Sequence, residues 1–129
     1  MKKILFILMA ATFLTGFCQA NTDDFQNSFL ARITYYTDKR TAKGVKPAQG
    51  VTVAAERAFK FGTKFYIPDL IGKVGGNGIF VKHDVGPHVE SRKASHGKMP
   101  VIDVFVSSSS KVKLLKAHKD NIFRVYRFK

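Results

Sequence analysis

From residue 29 onward, apolar and polar side chains alternate in short runs separated by glycine, proline and polar residues. FLARITYY (29–36), GVTVAAE (50–56), KFYIP (64–68), GIFVKHD (78–84), PVIDVFV (100–106) and NIFRVYRF (121–128) read as six strands. Pro68 stops the third, and the turn-rich GKVGGNG leads into the fourth. In the last run Ile122, Arg124, Tyr126 and Phe128 fall on one face, with Phe123, Val125 and Arg127 on the other. Only SSSSKVKLLKAHK (107–119) has a helical pattern: serines able to cap, then Val112, Leu114 and Leu115 at helix-compatible spacing. Residues 85–99 read as a polar loop bearing glycine and proline. Six short strands and one short helix predict a mainly β (all-β) domain. A small closed barrel is favoured over a sandwich, because closure removes the exposed edges of so small a sheet.

The start of the chain follows a different pattern. MKKILFILMAATFLTGFCQA sets two lysines before an apolar stretch from Ile4 to about Phe17 and ends on the small Ala20. That is the pattern of a secretory signal peptide. The apolar stretch is short for a membrane span, and polar NTDD follows at once. The expectation is cleavage after Ala20, a periplasmic or secreted product, and no stable membrane insertion afterwards. A lipid anchor on Cys18 is the weaker alternative, since Phe17 stands where a small residue is expected. The expected organisation is a signal peptide at 1–20, a short linker at 21–28 and one barrel domain at 29–129.

Composition narrows the chemistry. Cys18 is the only cysteine in the sequence, so the exported domain would have no disulfide and no thiolate chemistry. At its size it is one domain with a modest core, expected to be a monomer. The net charge of +13 falls to +11 once Lys2 and Lys3 leave with the leader. Such a charge favours polyanions, which for an exported protein means cell-wall polymers, anionic membrane surfaces or extracellular nucleic acid. No arginine-rich block or nucleic-acid motif is present, so nucleic acid is not the expected partner. A solvated lysine-rich surface accounts for the charge equally well.

Within PVIDVFV one carboxylate, Asp103, stands among six apolar residues. It shares a strand face with Val101 and Phe105, while Ile102, Val104 and Val106 point the other way. Both faces are apolar, so Asp103 is expected in a half-dry site. There a carboxyl raised to a pKa of about 6 can protonate a leaving oxygen. The alternative is a structural carboxylate satisfied by backbone N–H groups. Asp84 ends GIFVKHD beside a glycine turn, and Glu56 ends VTVAAE. Both are turn-formers or parts of a site at strand ends, where a rigid strand holds a side chain that a loop leaves open. Thr34, Tyr35 and Tyr36 are either ordinary strand residues or the lining of a sugar groove. His83, His88 and His96 surround Asp84, yet their spacing matches no metal motif, and no metal or other cofactor is expected.

The ordered set VTVAAERAFKFGTKFYIP, GIFVKHDVGPHV and VIDVFV resembles the 3D domain. That domain is named for three aspartates and is found in the membrane-bound lytic transglycosylase A family and in small muralytic proteins. The match spans about residues 30–128. The resemblance implies a six-stranded double-psi β-barrel. It implies cleavage of the β-1,4 bond between N-acetylmuramic acid and N-acetylglucosamine in peptidoglycan, with a 1,6-anhydro product. It places the catalytic acid on Asp103 and carries the D-x-G motif onto Asp84 and Gly86. The first aspartate falls on Glu56, one methylene longer. The implied substrate-binding set is Asp84, Glu56 and Gly86, joined by the candidate groove residues Thr34 and Tyr36. After D-x-G the family often has GGAI and a short link, whereas this chain has GPHV and a longer basic loop.

A single carboxyl suits that chemistry, since an ordinary two-carboxylate hydrolase needs a second group to activate water or attack the sugar. The expected partners are peptidoglycan glycan strands, with anionic wall polymers as additional ligands. The main alternative function is a non-catalytic, expansin-like wall-binding barrel. A hydrolase using Asp103 with Asp84 or Glu56, and an exported nucleic-acid binder, complete the set.

Overall fold

A computed structural model describes residues 22–109, 112–113 and 121–129. The signal peptide, its cleavage after Ala20 and Cys18 fall outside the described residues. Each of the six alternating runs supplies one strand: β1 (Phe25–Tyr36), β2 (Thr52–Ala54), β3 (Lys64–Tyr66), β4 (Ile79–Asp84), β5 (Val101–Phe105) and β6 (Ile122–Phe128). They close into a barrel in the order β1-β5-β2-β4-β3-β6. The neighbours β1–β5 and β2–β4 run parallel, and the other pairs antiparallel.

The barrel interior is filled by one side of each strand. Ile33 and Tyr35 of β1, Val53 of β2, Phe65 of β3, Phe80 of β4, Ile102 and Val104 of β5, and Phe123 and Val125 of β6 form one buried cluster. Phe65 and Phe80 are fully buried, and each contributes about 1.5–3 kcal/mol of burial.

β1 starts at Phe25, so residues 25–28, read above as linker, belong to the strand and pair with the end of β6. The reason is aromatic. The Phe25 ring lies 6.1 Å from Tyr66, 5.1 Å from Tyr126 and 5.0 Å from Phe128, centroid to centroid. Gln26, Asn27 and Ser28 are exposed on both faces, which hides this part of the strand from any alternation rule. β2 is shorter than its apolar run because Gly50 turns the chain with φ +82° and leaves little room for a side chain. The carbonyl oxygen of Gly50 would lie 2.7 Å from a Cβ placed on Gly76. Backbone therefore meets backbone where GKVGGNG crosses the start of β2.

A short helix, α1 (Pro87–Glu90), lies inside the segment read as a loop, followed by a 3-10 turn at Lys93–Ser95. Pro87 fits the first turn, where no N–H donor is needed. Val89 anchors α1 on the outside of the barrel, in a second cluster with Ala54 and Val101 against Tyr36. The helix expected at 107–119 lies largely outside the described residues. Of it, the Val112 N–H donates to the Ser108 carbonyl at 3.2 Å, and Val112 packs against the core.

A buried lysine breaks the apolar pattern of β4. Lys82 of β4 is 1% exposed. Its Nζ donates to the carbonyls of Glu56 and Phe59 at 2.6 and 2.5 Å and sits 5.2 Å from the Phe61 ring centroid. The ammonium thereby gathers the connection between β2 and β3, and desolvation lowers its pKa. Among the described residues, no helix is long and apolar enough to cross a membrane.

Candidate active site

Asp103 is half-buried at the middle of β5, on the outer face of the barrel wall. Its neighbours on that face are Val101 and Phe105, while Ile102 and Val104 belong to the barrel interior. The strand register fixes what stands beside it. Thr34 is its partner across the parallel β1–β5 pair, and Ala54 its partner across β2–β5. Thr34 Oγ1 donates to Asp103 Oδ1 at 2.8 Å. Ala54 is small and buried beneath Val89 of α1.

Asp84, the last residue of β4, pairs with Ala54 from the other side. The register there shifts: Val53 faces Lys82, but Ala54 faces Asp84. This bulge gives His83 no partner of its own and re-aims the end of β4. Asp84 Oδ1 accepts the N–H groups of Ala42 and Val85 at 2.8 and 3.0 Å. Its Oδ2 accepts the Tyr36 hydroxyl at 3.1 Å. Tyr36 thus joins Asp84 to the Asp103 side of the wall. Burial, then the charge of Asp84 and the hydrogen bond to it, then the charge of Asp103, hold its phenol well above the ordinary tyrosine pKa. Tyr36 is a fixed neutral donor and not a base. Its ring meets Phe105 edge-on at 5.8 Å.

A groove of about 610 Å³ opens over Asp103. One wall is strand: Thr34, Tyr35, Tyr36 and Asp103. The other is the segment after β4: His88, Lys93, Ala94 and His96. The volume falls within the range of small-molecule and short-oligomer sites. Asp103 is accessible from this groove, and Asp84 stands one hydrogen bond behind it.

The remaining expected site residues lie elsewhere. Glu56 does not line the groove; Arg92 holds its carboxylate through Nε at 2.5 Å and Nη2 at 3.2 Å. The three acids therefore converge only in part: two share a row of the wall, and the third clamps the segment that covers it. Gly86 is the extended residue ahead of α1 and lines a separate groove with Arg57, Val85, Pro87 and Glu90. His83 Nδ1 lies in hydrogen-bond contact with Thr52 Oγ1 at 3.1 Å, and that hydroxyl also accepts the Ala48 N–H. Burial, then the charge of Lys43, lower the His83 pKa. Among the described residues no three of histidine, cysteine, aspartate and glutamate come together as a metal site.

Sequence reasoning missed Arg92, Lys82 and Lys93, and it considered His88 and His96 only as metal ligands, although it noted the long basic loop that carries them. Lys82 left a usable signal. It stands two residues from Phe80 and two from Asp84, on the face that alternation sends inward. Comparison with family models finds none that matches this chain, and comparison with curated proteins finds no match either.

Proposed function

We propose that the protein is an exported peptidoglycan lytic transglycosylase of the 3D-domain type, with Asp103 as acid and then base. The observation that carries the proposal is the placement of Asp103: a half-buried carboxyl on a rigid strand, oriented by Thr34 and open to a groove. Asp84 is held by two backbone donors and a phenol, and Glu56 by a guanidinium. The closed barrel with its two parallel strand pairs supports assigning the double-psi type.

In this mechanism protonated Asp103 gives its proton to the glycosidic oxygen as the bond from the muramic anomeric carbon to that oxygen breaks. The electron pair leaves with the oxygen. The carboxylate then takes the proton of the muramic C6 hydroxyl, whose oxygen bonds to the anomeric carbon. The ring closes as a 1,6-anhydro sugar, no water is consumed, and Asp103 ends protonated as it began. Thr34 holds the carboxyl in place. Asp84 and Tyr36 form a fixed polar backing to the groove. The +11 surface keeps the enzyme on an anionic wall.

The test is digestion of purified peptidoglycan followed by mass analysis of the soluble muropeptides. Products one water lighter than hydrolytic ones are expected from the wild type. Asp103→Asn should lower their rate about 10²–10⁴-fold. Hydrolytic masses, or full activity in Asp103→Asn, would sink the proposal. A second reading, a wall-binding barrel without catalysis, is favoured by one observation: the Glu56 carboxylate is neutralised by Arg92. It predicts retention on insoluble peptidoglycan with no soluble fragment released.

A further inference from the structure

The segment that covers the groove sorts its charges by direction. Glu90 turns away from Asp103: its Oε1 accepts the Arg57 backbone N–H, and it lines the neighbouring groove. Arg92 also turns away, to Glu56. The groups left facing Asp103 are His88, Lys93 and His96, and no carboxylate of this segment lines the groove with them.

The basic wall is also held in shape. Among the described residues, Arg92 and His96 are the two non-glycine residues with positive φ, both +53°, and they bracket the Lys93–Ser95 turn. Such a conformation is uncommon outside glycine and persists where surrounding contacts enforce it. Here the contacts are the bidentate Arg92–Glu56 pair on one side and Ser95 on the other. The Ser95 side chain is buried; its Oγ accepts the Met99 N–H at 3.2 Å and lies 2.6 Å from the Met99 carbonyl. A neutral glycan in this groove would leave three basic side chains facing sugar hydroxyls. A sugar bearing a carboxylate would give them a charge-assisted partner while its glycosidic oxygen meets Asp103.

We propose that His88, Lys93 and His96 form a specificity site for a sugar-borne carboxylate, so that the preferred ligand is a glycan whose muramic lactyl group ends in a free acid. This rests on the reading of Asp103 as a glycan-cleaving acid. The free acid exists only after an amide-hydrolysing reaction has removed the stem peptide, so such a reaction must supply this substrate. Stem peptides carry carboxylates too, and the test separates the two sources.

The experiment is calorimetric binding of three soluble muramic-containing oligosaccharides to the Asp103→Asn protein, which removes turnover from the measurement. One oligosaccharide has the free lactyl acid, one the lactyl methylamide, and one an intact stem peptide. The free acid should bind about tenfold or more tighter than the methylamide, the scale of one hydrogen bond to a charged group. It should also bind tighter than the peptide-bearing form. In the further variant His88→Gln, Lys93→Gln, His96→Asn the preference should shrink to about twofold or less. Asparagine is used at 96 because it tolerates the left-handed backbone. An unchanged melting temperature in that variant confirms that the fold is kept. Equal affinity for acid and methylamide, tightest binding of the peptide-bearing form, or a preference that survives the triple variant would each overturn the proposal. Binding is read here without cleavage, so failure of this preference and failure of the muropeptide test are distinguishable.

Discussion

At the scale of single residues, the site depends on what each polar group is bonded to. Tyr35 and Tyr36 are adjacent on β1 and point to opposite sides of the wall. Tyr35 faces the core and donates to Asn121 Oδ1 at 3.2 Å, and burial pushes its pKa up to about 12. The folded protein therefore holds this proton more tightly than the unfolded chain, where tyrosine titrates near 10.0. The stability linked to it is complete below pH 10 and is lost as pH rises from 10 to about 12. Tyr36 acts in the same direction. Lys82, with its lowered pKa, acts in the opposite one, its burial cost easing as pH rises. Urea denaturation at several alkaline pH values should show the wild type losing more stability across this window than Tyr35→Phe, with Lys82 common to both. The position of Asp103 was legible at this scale, because a lone carboxylate in an apolar run is conspicuous. Its hydrogen bond to Thr34 was not, since the two are 69 residues apart and meet only through the β1–β5 register.

At the scale of elements, two connections shape the molecule. The first is the crossing of Gly50 with Gly75 and Gly76. A Cβ on Gly76 would meet backbone that cannot move without shifting β2, and its φ of +77° already disfavours a side chain. Gly76→Ala should lower stability by about 1–3 kcal/mol in chemical denaturation. The turn itself was legible from its glycines; the close approach that requires them was not. The second connection is the α1 segment, fastened by Val89, by Ser95 and by the Glu56–Arg92 pair. That pair is partly exposed, so Glu56→Gln should change global stability by about 1 kcal/mol or less. Locally it should loosen the basic wall. Faster hydrogen exchange at the amides of 90–98, with core strands unaffected, is the expected result. This segment read as loop because α1 has a single buried apolar residue, Val89, and one residue makes no periodicity.

At the scale of the whole molecule, charge and closure act together. The strands close into a barrel, and the chain carries a net charge of +13. Retention on insoluble peptidoglycan should weaken steadily as salt rises from about 0.05 to 0.5 M, as expected for an exposed charge excess. Retention that ignores salt would exclude the surface charge as the anchor. Interior packing sets the stability, and Phe80→Ala in the fully buried centre should cost about 3–5 kcal/mol. The sequence alone determined that there are six strands and that one acid is embedded in β5, because alternation is a local property that each strand carries in itself. Tertiary structure alone decided the order of strands round the barrel, the pairing of Asp103 with Thr34, the alignment of Asp84 on the same row, and the use of Glu56 as a clamp. Those depend on register between segments distant in the chain, and register is set by how the closed barrel packs, which no short stretch of residues contains.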